Sequence, residues 1–222
     1  MELLENFDKT AVFRMLGENG KPDEATERLV DRALGRLCGV CRPRSVYRLF
    51  QIERSLCGMS VAGAELLGDD IARHLDGCNR CAVLALTLGE SVDAATRAAF
   101  TVDAELATAL DCAASALCEH LCGGLELMAR EQCLRAGLFL TDRFSPGYGD
   151  FPIVTNRPLL ESVSAFKTVG ITALESGAMS PRKSVCALCG ASAAPVAGQR
   201  AGCENCALRD KCKIRKEGRH CE

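Results

Sequence analysis

Two groups of residues in this chain have the types and spacing to do chemistry. The first is the run Arg143-Phe144-Ser145-Pro146-Gly147-Tyr148-Gly149. Pro146 fixes one φ angle and Gly147 accepts a positive one, which is the order of a type II turn. Such a turn points backbone N–H and C=O groups outward, where they can hold the amino and carboxylate ends of an amino-acid-like ligand. Arg143, two residues before the turn, offers a carboxylate a planar fork that a lysine cannot imitate. Tyr148 adds a flat face and a hydroxyl, and Gly149 permits close approach by a ligand. Taken by itself the segment is an ordinary surface reversal with a solvated arginine, because Pro-Gly turns are common.

The second group is the cysteines, fifteen in all. The C-terminal stretch reads Cys186-x-x-Cys189, thirteen residues, Cys203-x-x-Cys206, then Cys212 and Cys221. Two Cys-x-x-Cys knuckles at this separation predict a tetrahedral four-thiolate site. Cys212 is the alternative ligand to Cys186, which ends an expected strand. Zinc in that site would let a short tail with few apolar residues fold. An iron-sulfur cluster is the sharper reading, although the spacing is not a ferredoxin pattern; free or redox-active thiols are the third. Cys38-x-x-Cys41 and Cys78-x-x-Cys81 read first as buried core thiols and next as a second metal site. Cys112, Cys118, Cys122 and Cys133 fall on a long helical stretch and read as core. His74, His120 and His220 are isolated, and none is assigned as a ligand.

Composition narrows the function classes. The chain has 222 residues, 48% hydrophobic and 25% charged, enough for one domain with a real core and a small appendage. Aromatics are 5% with no Trp, too few rings for a base-stacking nucleic-acid platform. The net charge of -2 argues against non-specific polyanion binding. From Arg182 to Glu222 nine Lys/Arg face four Asp/Glu, so the tail is near +5 and the rest near -7. No apolar run is long enough to cross a membrane, and the acidic start Met1-Glu2-Leu3-Leu4-Glu5-Asn6 lacks the pattern of an export signal. A cytoplasmic location with reduced thiols is therefore expected.

The elements that must position these groups follow from periodicity. Asp23 to Leu37 reads as an amphipathic helix opened by Pro22. Arg44 to Ile52 alternates like a half-buried strand, and Asp69 to Leu75 is a short helix stopped by Gly77. Cys81 to Leu88 is a continuous apolar run, expected as a central strand ended by Gly89. Asp93 to Arg135 is helical, with Gly123-Gly124 expected to break or bend it. Asn156 is expected to cap one helix through Leu159, Leu160, Val163 and Phe166, closed by Gly170. Ile171 to Leu174 and Ser184 to Leu188 are expected strands. Helices and strands do not alternate regularly, which predicts α+β rather than a doubly wound sheet. The domain boundary is placed between residues 185 and 186, with a Cys-rich tail over 186–222.

The run Arg143-Phe144-Ser145-Pro146-Gly147-Tyr148 resembles the Arg-x-x-Pro-Gly-Tyr signature of the activation (reactivation) domain of cobalamin-dependent methionine synthase. Other segments agree in order. Ala72-Arg73-His74-Leu75-Asp76-Gly77-Cys78 followed by Thr87-Leu88-Gly89 resembles the family's His-Leu-x-Gly-Cys and Thr-Leu-Gly elements, familiar from its stand-alone members. Asp111-Cys112-Ala113-Ala114-Ser115-Ala116 with Glu119 resembles the next helix, and Leu174 to Val185 resembles the late segment. The match spans about Glu24 to Val185. It implies a curved, mainly antiparallel sheet flanked by helices, with S-adenosylmethionine in a shallow groove. It also implies a role in reductive methylation of inactive cob(II)alamin, which needs a reductant and a methyl donor placed in line with cobalt. By the same resemblance Arg143 is the carboxylate anchor, Pro146, Gly147 and Tyr148 cradle the ligand, and Glu119 faces the groove. No general acid or base is needed. The chain lacks the cobalamin, folate and homocysteine domains of the large enzyme. The expected partners are therefore a corrinoid protein, or a methionine synthase without its own activation domain, and an electron donor protein. The aromatic residues late in the classical domain are missing here. The alternative is a Cys-rich electron-transfer or redox-sensing protein acting on a corrinoid protein.

Overall fold

The fold is described from a computed structural model covering residues 4–18, 20–56 and 58–196. Its centre is a six-stranded antiparallel sheet in the order β3-β2-β1-β4-β8-β5. The strands are β1 (Arg44–Ser55), β2 (Gly58–Val61), β3 (Ala64–Leu66), β4 (Arg80–Thr87), β5 (Phe139–Leu140) and β8 (Ser184–Ser192). A separate two-stranded ribbon pairs β6 (Thr172–Ala173) with β7 (Met179–Ser180). The helices are α1 (Thr10–Met15), α2 (Glu24–Val40), α3 (Asp69–His74), α4 (Glu90–Phe100), α5 (Ala104–Arg135), α6 (Asn156–Ser162) and α7 (Ala165–Val169). The α+β architecture, with helices on both faces of an antiparallel sheet, agrees with the expectation.

β4 shows why the centre forms where it does. Its residues are apolar on both sides, so both faces must be covered. Ala82, Leu84 and Leu86 face one core with α2, α4 and α5, while Cys81, Val83 and Ala85 face the other with α3, α6 and α7. α2 begins where Asp23 accepts the Thr26 N–H at 2.7 Å, an N-cap that offsets one orphan donor.

Three local expectations are corrected. Gly123-Gly124 does not break the helix, because α5 runs through both. Each glycine costs about 1 kcal/mol in a helix, but Leu117, Leu125 and Ala129 are buried around the pair and outweigh that. Asn156 does not cap its helix: a 3-10 turn over Ile153–Thr155 precedes it, and its Nδ2 donates to the Gly177 carbonyl at 3.0 Å. The helix after it is split at Ser164, which sits at φ +55°. The split turns Phe166 to solvent and lets both Val163 and Ala165 pack inward.

The fourth correction concerns the cysteines and the boundary. Cys186 and Cys189 both lie inside β8, and the strand continues to Ser192. A cut between 185 and 186 falls within this strand. Side chains alternate along a strand, so residues three apart point to opposite faces. Cys186 packs in the α3/α6/α7 core and Cys189 in the α2/α5 core. They form no knuckle and do not converge on one ion. Cys203, Cys206, Cys212 and Cys221 lie outside the described residues. Among the described residues no group of three or more His, Cys, Asp or Glu is arranged for a metal ion, and no helix is long and apolar enough to cross a membrane.

The buried thiols carry a pH dependence. Burial pushes Cys41 up to about 11, Cys118 and Cys186 up to about 12, and Cys189 well above its ordinary value. A thiol raised in the folded state keeps its proton where the unfolded chain loses it. Its contribution to stability is full below the unfolded value of 9.0 and is lost as pH climbs toward the folded values. Melting under reductant is therefore expected to stay level up to about pH 8 and to fall steeply between about pH 9 and pH 11. A flat profile across that window would contradict the burial.

Candidate functional site

The segment that begins at Leu140 runs first along the edge of β8, where Thr141 N–H donates to the Gly190 carbonyl at 2.9 Å. Phe144 bridges to Leu188 of β8 through two backbone bonds of 2.8 Å, one in each direction. Phe144 and Phe151 are both buried and stack at 6.2 Å, and His74 stacks on Phe144 at 5.2 Å. His74 itself is buried, with its Nε2 2.9 Å from the Asp142 carbonyl. A carbonyl only accepts, so Nε2 carries the proton there. The Thr141 hydroxyl, 3.0 Å from the same nitrogen, accepts the Gly190 N–H at 2.9 Å. α3 and β8 thus pin the two residues before Arg143.

The reversal has the expected form. Tyr148 N–H donates to the Ser145 carbonyl at 3.3 Å, and Gly147 takes φ +97°. Pro146 is buried, whereas Gly147 and Tyr148 are exposed. The turn is more closed than the sequence suggests, because Gly147 N–H donates to the Phe151 carbonyl at 2.8 Å and Phe151 N–H to the Tyr148 carbonyl at 3.0 Å. Both turn amides are thereby used internally.

Gly149 does permit a close approach, but by the chain itself. At φ +56°, a Cβ there would lie 2.0 Å from Asp70 Oδ2. Asp150 accepts the N–H groups of Asp69 and Asp70 at 2.7 and 3.0 Å, and Asp70 accepts the Asp150 N–H at 3.1 Å. This reciprocal cap ties the turn to the start of α3. The Asp70 and Asp69 N–H groups hold the Asp150 carboxyl below its ordinary range. Asp150→Ala is expected to cost about 1 kcal/mol, as lost caps do. Urea unfolding with an unchanged midpoint would refute that.

Arg143 and Glu119, 24 residues apart, are brought together: Nη2 donates to Glu119 Oε2 at 2.8 Å. Nε lies 3.7 Å from Glu126 Oε2, and Nη1 is buried with no hydrogen-bond partner. Burial alone would lower the guanidinium's pKa, but Cys122, Glu119 and Glu126 around it offset this and raise it. Both glutamates line an open groove of about 900 Å³ bounded by Gly123 and Gly124 of α5 and by Arg44 and Ser45 of β1. The two glycines leave open space there, since an added Cβ would meet nothing within 4 Å.

Glu126 and Arg130 are charged neighbours that the sequence reading did not single out. Their signal was available, because Glu119, Glu126 and Arg130 recur at helical spacing along α5.

No family model and no curated protein matches the chain. Among solved structures, the MetH reactivation domain bound to AdoHcy is similar, with a TM-score of 0.66 at 20% identity over 98% of this chain and 83% of that one. The chain has the reactivation-domain fold. Residues 4–196 thus share that domain's architecture, sheet and flanking helices included.

Proposed function

We propose that this chain binds S-adenosylmethionine at Arg143 and supports reductive methylation of a corrinoid cofactor carried by a separate protein. The observation that carries the reading is Arg143 itself, with a buried, unpartnered Nη1 beside an exposed glutamate in a reactivation-domain fold. A buried donor without an acceptor is unfavourable and suits an incoming carboxylate oxygen.

An amino-acid zwitterion is the electrostatic complement of an Arg–Glu pair. Arg143 takes the carboxylate and Glu119, 55% exposed and free to swing, takes the ammonium. Pro146, Gly147 and the exposed Tyr148, on a turn closed by its own hydrogen bonds, are the proposed cradle for the ligand. S-adenosylmethionine supplies the methyl group when bound. The chain's own contribution is orientation, through a turn fixed by Phe144, Phe151 and the Asp70–Asp150 cap. The partners are a corrinoid protein, or a methionine synthase lacking its own activation domain, and an electron donor protein.

The test is calorimetric titration of the intact protein with S-adenosylmethionine and, separately, S-adenosylhomocysteine. Saturable binding of both is expected. No heat and no competition by either would sink the reading.

A further inference from the structure

The stretch from Leu140 to Arg143 is docked on α5 by a chain of ion pairs that passes back and forth between the two segments, Glu119–Arg143–Glu126–Arg130–Asp142. Arg143 lies between Glu119 and Glu126, at 2.8 and 3.7 Å. Glu126 Oε1 in turn accepts from Arg130 Nη2 at 2.9 Å. Arg130 donates to the carbonyls of Leu140 and Thr141, the latter at 3.1 Å, and reaches Asp142 Oδ1 at 3.4 Å. The side chains are least exposed in the middle of the series, at 26% for Arg143 and 16% for Glu126 against 55% for Glu119 and 35% for Arg130.

These positions divide the labour. Glu119 sits on the solvent side, where a ligand arrives. Glu126 pairs with the Nε edge of the guanidinium at 3.7 Å and is itself tied to Arg130 at 2.9 Å, so it is held in place more firmly than Glu119. Arg130 fixes the backbone from which Arg143 projects. A free arginine side chain samples many rotamers, and a ligand that binds it must freeze them. An arginine already held by one edge loses less on binding.

We propose that Glu126 and Arg130 are positioning residues for Arg143, holding its fork in one orientation before any ligand carboxylate arrives. The proposal rests on the reading of Arg143 as a carboxylate anchor. It adds two residues that act on the ligand only through Arg143.

The test uses the full chain and two readouts. The first is the Nε–Hε signal of Arg143 in nitrogen-15 spectra, assigned by its loss in Arg143→Lys. In the ligand-free protein it is expected to be sharp and protected, and in Glu126→Gln to move to the position of solvent-exposed arginines. The second is S-adenosylmethionine affinity by calorimetry, expected to fall about 5- to 10-fold in Glu126→Gln. Should that variant fail to fold, Arg130→Lys, which keeps the charge but not the planar fork across two carbonyls, gives the same two readouts. An Arg143 signal unchanged by the substitution, or an affinity within twofold of wild type, overturns the proposal. A signal that moves in a protein that never binds S-adenosylmethionine upholds the fixed orientation and overturns the anchor reading instead.

Discussion

Arg143→Ala is expected to weaken S-adenosylmethionine binding by about 100-fold, a loss of ~3 kcal/mol. The figure is that of one bidentate, charge-assisted contact in a partly desolvated setting. The fold is expected to tolerate the substitution. Glu119 is more than half exposed and returns to water, and Glu126 keeps Arg130 at 2.9 Å. No carboxylate is left buried without a partner, so melting should change much less than affinity. Arg143→Lys keeps the charge but not the fork and is expected to fall between the two, at about tenfold. Binding by Arg143→Ala within threefold of wild type would show that the ligand's carboxylate lies elsewhere.

Gly177→Ala is expected to cost about 3 kcal/mol of stability, from left-handed strain plus overpacking. Gly177 sits at φ +83°, and a Cβ there would lie 2.4 Å from the Ile153 carbonyl oxygen and 2.8 Å from Val154 Cα. Those are backbone atoms, which cannot rotate away. At about 2–4 °C per kcal/mol for a chain of this size, melting should drop by roughly 10 °C. The effect should also reach the turn. A Cβ at Gly147 would be 3.6 Å from Ile153 Cγ1, so a displaced Ile153 disturbs the turn that precedes it. Thermal melting reads the first consequence and ligand titration the second. A melting point within about 3 °C of wild type would contradict the contact.

How much of this was legible depends on whether the deciding force is local. β4 is visible as Cys81 to Leu88 because a strand covered on both faces must be apolar throughout. α2 is visible because its apolar stripe is local, whereas the cap at Asp23 emerges only from the structure. The Pro146-Gly147 reversal is visible for the same reason: its geometry is dictated by two residue types. The Cys186-x-x-Cys189 spacing is local too, but it is the same string in a metal knuckle and in a strand. Only the pairing of β8 with β4 decides between them. Ser164 carries no glycine, so nothing in its type announces a left-handed break; the burial demands of Val163 and Ala165 impose it. Arg143 and Glu119 were found through ordered motifs. Glu126 and Arg130 were not, because their meaning depends on which face of α5 meets residues 140–143.

β8 has a consequence for how the molecule is made. Among the described residues it is the last strand to enter the sheet, yet it lies between β4 and β5 and carries the bridge that seats Phe144. During synthesis the earlier strands and α5 emerge first, with one edge of the apolar β4 unpaired. The two cores can close only once the ribosome has released Ser192 and the stretch that follows it in the exit tunnel. Until then the nascent chain presents an open, hydrophobic strand edge, the kind that recruits chaperones or other chains. A chain ending at Val185 would remain in that state permanently.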